Sequence, residues 1–310
     1  MPQAREPWPS LPLAEWEATY ETLHLWTQIV GKVRMSLMPW INHSWHVALY
    51  VSARGLTTSL IPYEQGGVEI EFDFLTHQLH VQTTDGRQRS FPLAPMSVAA
   101  FYRRVMETLD ELGIQVEILA RPVEIPDPIH RFPEDEAHAS YDPEAAQRCW
   151  QLLVQAHRVF TAFRARFSGK VSPVHFFWGA FDLAVTRFSG RSAPKHPGGI
   201  PNCADWVMEE AYSHEVSSAG FWPGGGVHPY PYFYSYAYPE PPGYATAAVA
   251  PEGAFYSDAF GQFVLPYDRV RESPDPDSTL LAFLQSTYEA AAELGDWDRA
   301  ALDVGGAPAA

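Results

Sequence analysis

Cysteine is scarce in this chain of 310 residues, which holds only Cys149 and Cys203. Two cysteines are too few for a disulfide framework, and we expect two ordinary thiols in a reducing cytoplasm. Paired-cysteine motifs, the H-x-x-x-H and H-E-x-x-H patterns, the phosphate-binding loop and the G-x-S-x-G nucleophile elbow are absent as well. The sequence therefore predicts no metal and no other cofactor.

Long hydrophobic runs and an excess of basic residues are also missing. No apolar stretch approaches the length that spans a bilayer, and the N-terminal MPQAREPWPSLP lacks the apolar region of a secretory signal. The formal net charge is −16, a field that repels a phosphate backbone and an anionic lipid surface. We therefore expect a cytoplasmic protein with no nucleic-acid partner and no membrane partner.

Aromatic residues and prolines are abundant instead. Hydrophobic residues make up 46% of the chain and charged residues 19%, which allows a sizeable core. Aromatics reach 14%, and there are 28 prolines. This combination favours aromatic-rich strands joined by stiff loops, and an aromatic-lined pocket.

Hydrophobic periodicity predicts an α+β protein in which antiparallel meander sheets are packed by long helices. Apolar residues recur at helical spacing over Pro12–Leu37 and alternate with acidic residues over Val68–Phe74. We divide the chain into a first helix–meander–helix half at 1–120, a Pro- and acid-rich linker at 121–142, a second half with the candidate site at 143–300, and a disordered tail at 301–310.

The two halves share a pattern. A second long helix is predicted over Pro143–Ser168, and strands with a histidine and a threonine follow each helix. His46 precedes Thr57 by eleven residues, and His175 precedes Thr186 by eleven. An internal duplication with a period of about 130 residues explains this pattern, and so does chance similarity between two amphipathic helices. Both interpretations stay open at this point.

The stretch Ser172–Arg191 carries a His, a Trp, an Asp and an Arg within an apolar run. Strand alternation puts His175 and Asp182 on opposite faces unless a turn or bulge between them resets the register. An aspartate in an apolar strand is costly unless it is paired or hydrogen-bonded. Arg187 and Arg191 are the candidate partners, and the pair would be either structural or functional.

Two further strands supply polar residues. His214 and Glu215 are adjacent in a strand predicted over Ser213–Phe221, which is either an edge strand with solvated side chains or part of a site. The strand Tyr232–Tyr238 places four tyrosines on one face, which either lines a ligand pocket or forms a core face.

We combine these strands into one candidate site. The proposed catalytic residues are His214 or Glu215 as general base, with Asp182 or Arg187 for orientation or charge stabilisation. The proposed ligand-binding residues are Trp178, Trp222, Tyr234, Tyr236, His46 and His175.

Several motifs resemble those of a bacterial family known only as a domain of unknown function. They are W-G-A-F-D-L (Trp178–Leu183), S-H-E-V-S-S-A-G-F-W-P-G (Ser213–Gly224), P-W-x-N-H-x-W-H (Pro39–His46), F-Y-S-Y-A-Y-P-E-P (Phe233–Pro241) and L-P-Y-D-x-V-R (Leu265–Arg271). The similarity covers nearly the whole chain apart from the tail. It implies no activity, but its recognisable residues cluster in the strands and loops of the candidate site.

The leading hypothesis is an aromatic, polar-bottomed pocket that binds a small, partly aromatic or sugar-like molecule. Its enzymatic version uses His/Glu acid–base chemistry, and the sequence leaves open whether the protein is an enzyme. The alternative is an interaction protein whose exposed Pro/Tyr loops, such as Tyr230–Tyr244, dock a partner. Convergence of the polar groups in a concave pocket favours the first hypothesis, and a flat aromatic surface favours the second.

Overall fold

The computed structural model describes residues 6–127 and 129–304, and it shows the predicted α+β architecture. The α-helices are α1 (Leu13–Leu37), α2 (Val98–Glu111), α3 (Pro143–Arg164), α4 (Asp205–Ala211), α5 (Tyr267–Arg271), α6 (Pro276–Leu294) and α7 (Arg299–Leu302). The strands are β1 (Tyr50–Val51), β2 (Gly55–Thr57), β3 (Ile61–Tyr63), β4 (Gly66–Asp73), β5 (Gln78–Thr83), β6 (Gln88–Pro92), β7 (His175–Phe177), β8 (Asp182–Ser192), β9 (His214–Trp222), β10 (Tyr232–Tyr238), β11 (Phe255–Ser257) and β12 (Gln262–Pro266).

The strands form two antiparallel sheets. The first has the order β1-β2-β4-β5-β6 with β3 paired to β4, and the second has the order β11-β12-β10-β9-β8-β7. The sheets meet where Leu49 and Phe176 exchange backbone hydrogen bonds of 2.9 and 2.8 Å. One apolar core extends through both halves. The halves are thus joined at their sheet edges, while the division of the chain into domains and the internal duplication stay predictions.

Helix α1 is the most buried helix of the first half, and its bounds agree with the prediction. From Thr22 to Arg34 every residue except His24 is buried. Its start follows Pro12, and its end precedes Pro39, which cannot continue a helix. Trp26 stacks on Phe101 of α2 with ring centroids 4.5 Å apart. Residues 22–34 of the helix are therefore enclosed by protein, whereas its first turns expose Ala14, Glu17 and Glu21 and bury one apolar stripe.

Gly31 in α1 leaves room for the Trp178 indole, which packs directly against it. A Cβ at position 31 would lie 2.2 Å from Trp178 Nε1, and this N–H donates to the Val47 carbonyl at 2.7 Å, so the ring has little room to retreat. We expect Gly31→Ala to lower the free energy of unfolding by about 1–3 kcal/mol, although alanine favours a helix by about 1 kcal/mol. Chemical denaturation measures the change, and a stabilised variant would contradict this packing.

The turn between β7 and β8 corrects the predicted separation of His175 from Asp182. His175 pairs with Ala184, and Phe177 pairs with Asp182. Because paired residues of antiparallel strands share a face, His175 and Asp182 lie on the same face of the sheet. The four residues of the turn interrupt the strand, so alternation does not continue through it.

The start of the predicted disordered tail at 301–310 is also corrected. Residues 301 and 302 belong to α7. Asp303 accepts hydrogen bonds from Arg299 at 2.9 Å and from Tyr288 at 2.5 Å. The chain is therefore fixed as far as Asp303, because its carboxylate has two partners. Residues 305–310 lie outside the described part of the chain.

Candidate functional site

The second sheet has one apolar face and one polar face. Its apolar face packs on α3 and α6, for example through Phe233 and Phe160, whose ring centroids are 6.2 Å apart. Strand register places several polar side chains on the opposite face. They are His175, Asp182, Thr186, His214, Ser218, Tyr234 and Tyr236. Most of the residues selected from the sequence therefore share one surface.

Asp182 and Tyr234 form the centre of this face. The Tyr234 hydroxyl donates a short hydrogen bond to Asp182 Oδ2 across strand β9. Gly220 allows this crossing, since a Cβ there would lie 2.4 Å from Tyr234 Oη. Burial raises the pKa of Asp182 to about 6, and the phenol hydrogen bond opposes this rise. The aspartate is thus held by a phenol and not by the arginine that the sequence suggested.

Glu124 brings a second carboxyl group to Asp182. A Cβ on Gly179 would lie 2.0 Å from Glu124 Oε1, so the carboxyl rests directly on that glycine. Burial, and to a smaller extent the charge of Asp182, raise the pKa of Glu124 to about 7. Although the residue keeps exposed surface, its carboxyl group is almost surrounded by protein. This combination is typical of a side chain that ends in a recess.

The segment carrying Glu124 is fixed by α1 and by the loop before α4. The Gln28 side chain of α1 donates to the Val123 carbonyl and accepts from the Val123 N–H, both at 2.9 Å. The Glu124 N–H donates to the Pro201 carbonyl at 2.8 Å. Glu124 itself has φ +61°, a strained value for a non-glycine residue. The predicted linker is therefore part of the site.

Tyr212, at the end of α4, completes this group. Its hydroxyl lies 2.6 Å from the Tyr236 hydroxyl, and the rings of Tyr234 and Tyr236 stack with centroids 6.0 Å apart. Tyr212, Tyr236 and Asp182 are half-buried, yet burial is the main cause of the raised pKa of each. We name the space bounded by Glu124, Asp182, Tyr212, Tyr234 and Tyr236 the tyrosine recess.

The two predicted tryptophans flank the β7–β8 turn. The Trp222 indole N–H donates to the Ala180 carbonyl at 2.8 Å, as that of Trp178 does to Val47. Both rings therefore have defined positions beside the recess, and both of their N–H groups are occupied.

His214 lies at the other end of the polar face, beside His43. The two imidazole centroids are 5.7 Å apart, and His43 also contacts Phe188 at 4.8 Å. Lys170 Nζ lies 2.7 Å from His43 Nε2. Phe188 follows Asp182 by six positions in β8, which is about 20 Å along a strand. The structure does not bring His214 to Asp182.

The remaining predicted histidines lie outside the recess. His46 Nδ1 accepts the Ile41 N–H at 3.3 Å. His175 is fully buried near Trp45 and Tyr50, and within residues 6–127 and 129–304 neither of its ring nitrogens has a hydrogen-bond partner. Burial lowers its pKa to about 3. His175 is therefore a neutral ring at physiological pH.

Arg187 and Glu215 lie on the opposite, helix-packed face. The Arg187 guanidinium is fully buried, 3.5 Å from the Phe163 ring centroid. Glu215 forms an ion pair of 2.7 Å with Arg191 and lines a cavity of about 230 Å³ beside α6. Since strand alternation separates them from Asp182, neither residue faces the tyrosine recess.

Sequence reasoning missed Glu124 and Tyr212. No spacing relates either residue to Asp182, because each reaches it through a different loop. For Glu124, the sequence offered one sign of a site residue, which was a carboxylate beside apolar residues in the predicted linker. For Tyr212, the sign was an aromatic residue that follows a predicted short helix.

The described residues show neither a metal centre nor a membrane span. No three His, Cys, Asp or Glu side chains within 6–127 and 129–304 are placed to hold a metal ion. No helix in that part of the chain is long and apolar enough to cross a bilayer.

Comparison with known proteins identifies a family and no activity. Neither curated proteins nor solved structures give a match. A family model described as a family of unknown function, DUF5996, matches residues 8–304. This match covers most of the chain and agrees with the resemblance read from the motifs. The chain therefore belongs to the DUF5996 family of unknown function.

Proposed function

We propose that the protein binds a small molecule in the tyrosine recess and exchanges protons with it through Glu124 and Asp182. The observation that carries this proposal is the pair of carboxyl groups with raised pKa values beside three phenols. Groups with perturbed pKa values in a concave site are candidates for acid–base chemistry. Aromatic walls with a few convergent polar groups are typical of small-molecule sites.

The two carboxyl groups are suited to opposite roles. Asp182 has a pKa of about 6 and Glu124 of about 7, so between these values the main form has Asp182 ionised and Glu124 protonated. An ionised carboxylate can act as a general base while its protonated neighbour acts as a general acid. Because the two charges interact, a pH–rate profile would report apparent pKa values of the pair.

Stability as a function of pH tests the state of Glu124. A carboxyl whose folded pKa is raised favours the protonated fold, so it lowers stability as pH rises from about 4 to about 7. Glu124→Gln removes this loss, and we expect the variant to gain about 1–2 kcal/mol over wild type at pH 8, a figure reduced for solvent screening. The gain should vanish near pH 4. Urea unfolding at several pH values measures it.

Glu17→Gln is the matched control, because Glu17 is exposed on the outer side of α1. We expect its difference from wild type to be the same at every pH. If Glu124→Gln also gives a constant difference from pH 4 to pH 8, the carboxyl is not held in a low-polarity recess and the acid–base proposal fails.

The sequence-based alternatives remain predictions. The first alternative assigns the general base to His214 or Glu215 and places Asp182 beside it, but neither residue lies next to Asp182. Docking through the loops of Tyr230–Tyr244 lacks exposed rings at several positions, since Tyr232, Tyr234 and Tyr244 are buried. Cytoplasmic location and the absence of nucleic-acid and membrane partners rest on charge and composition alone.

A further inference from the structure

We propose that the ligand of the tyrosine recess is a small organic amine, bound as its ammonium ion between Glu124, Asp182 and the tyrosine rings. This inference rests on the proposed function and adds the chemical class of the ligand. It depends on the charge balance of the recess, on the hydrogen-bonding capacity left in its walls, and on its aromatic faces.

Within the described part of the chain, the two carboxyl groups have no cationic partner. Among the described residues, no Lys, Arg or His forms an ion pair with Glu124 or Asp182. Asp182 has a phenol as its side-chain partner, and the Glu124 carboxyl has none within 6–127 and 129–304. A buried carboxylate without a counter-charge is costly, and an ammonium ion would supply that charge.

The ring and amide N–H donors around the recess are already in use. The indole N–H groups of Trp178 and Trp222 donate to backbone carbonyls. On the α1 side, His24 donates to the Gly179 carbonyl at 2.8 Å, and Gln28 donates to Val123. One of the two hydroxyls of Tyr212 and Tyr236 donates to the other, so the recess keeps a phenol donor and the acceptor capacity of its carboxylate oxygens. An ammonium group offers only donors and the opposite charge to these carboxylates, whereas a carboxylate or phosphate brings the same charge.

The phenol rings add a second attraction for a cation. Tyr236 stacks on Tyr234 at 6.0 Å and lies 6.3 Å from Tyr212, and His196 stacks on Tyr212 at 4.8 Å. Aromatic faces attract cations, most strongly where water is excluded. The net charge of −16 also favours the approach of cations over anions. Charge, hydrogen bonding and aromatic surface thus select the same class of ligand.

A set of isosteric probes tests this class of ligand. Benzylamine, benzyl alcohol and benzoate differ in their polar group, as do butylamine, butanol and butyrate without the ring. Ligand-observed NMR titration of the full chain at pH 7.5 measures the binding of each probe. We expect each amine to bind at least tenfold more tightly than its alcohol, and the carboxylates to show no binding.

Variants locate the binding. We expect Glu124→Gln and Asp182→Asn each to weaken amine binding at least tenfold, while Glu17→Gln leaves it unchanged. Circular dichroism and thermal unfolding check that each variant is folded. If one carboxyl variant unfolds, the other carboxyl variant carries the test.

Three results would overturn the inference. Alcohols that bind as tightly as amines, and lose binding in the Glu124 and Asp182 variants, would leave the recess as a ligand site of another class. Amine binding that is equal in wild type and both variants would place the amines elsewhere. Absence of amine binding at millimolar concentration would show that the ligand is not an amine. The acid–base proposal would then still be tested separately, by the pH dependence of stability.

Discussion

Arg187→Ala is expected to lower the free energy of unfolding by about 3–5 kcal/mol. The guanidinium lies against the rings of Phe163 and Tyr288, at 3.5 and 4.3 Å from their centroids, and donates to the Phe163 carbonyl. Truncation would leave a cavity among these rings, and the Phe163 carbonyl would keep only backbone partners such as the Arg166 N–H at 3.1 Å. Urea denaturation followed by circular dichroism measures the loss.

Arg187→Met is the informative comparison. Methionine keeps most of the volume between the rings and removes the buried charge, so we expect a loss below about 1.5 kcal/mol. Both variants should bind benzylamine as wild type does, because Arg187 lies on the other face of the sheet from Asp182. If Arg187→Met is folded and does not bind benzylamine, Arg187 belongs to the ligand site, as the sequence-based hypothesis proposed.

Lys32→Met is expected to stabilise the protein by about 3 kcal/mol at pH 7. Lys32 is buried in α1 with its ammonium 5.8 Å from the Trp178 ring centroid. No hydrogen bond or ion pair of this ammonium occurs within residues 6–127 and 129–304. Burial lowers its pKa to about 8. Methionine removes the buried charge and keeps the length of the side chain.

The pH dependence gives this prediction its sign. A lysine whose folded pKa is lowered binds more protons in the unfolded state between about pH 8 and pH 10.4, so wild-type stability rises through that interval. The advantage of Lys32→Met should therefore shrink from pH 8 to pH 10. Lys195→Met is the control, because Lys195 is exposed and pairs with Glu209 at 2.9 Å. A difference that stays constant with pH would show that Lys32 is not buried as a cation.

Local patterns predicted the elements well. The spacing of apolar residues gave α1 and the start of α3, since burial of one stripe requires that spacing. Alternation along Tyr232–Tyr238 predicted a strand with its tyrosines on one face, as the structure has it. Asp182, Tyr234 and Tyr236 were therefore accessible from the sequence, because each lies on a regular strand of the same sheet.

The positions of Arg187 and Glu215 show where local patterns failed. Strand alternation puts adjacent residues on opposite faces of the sheet. Only the pairing of β9 with β8 on one side and β10 on the other shows which face meets the helices and which carries the recess. Likewise, the β7–β8 turn set the register that unites His175 with Asp182 on one face. Register is a property of paired strands, and a single strand does not contain it.

The sequence by itself determined the long helices, the tyrosine strand, the acidic charge and the family. Tertiary structure alone decided that Glu124, from a segment read as a linker, meets Asp182, and that a glycine at position 220 lets Tyr234 reach it. The physical reason is that secondary structure follows from neighbouring residues, whereas the pKa of a carboxyl depends on every group folded around it. The chemistry of the recess arises from side chains far apart in the sequence. Asp182 and Tyr234 are 52 positions apart, and Tyr212 and Tyr236 are 24 positions apart.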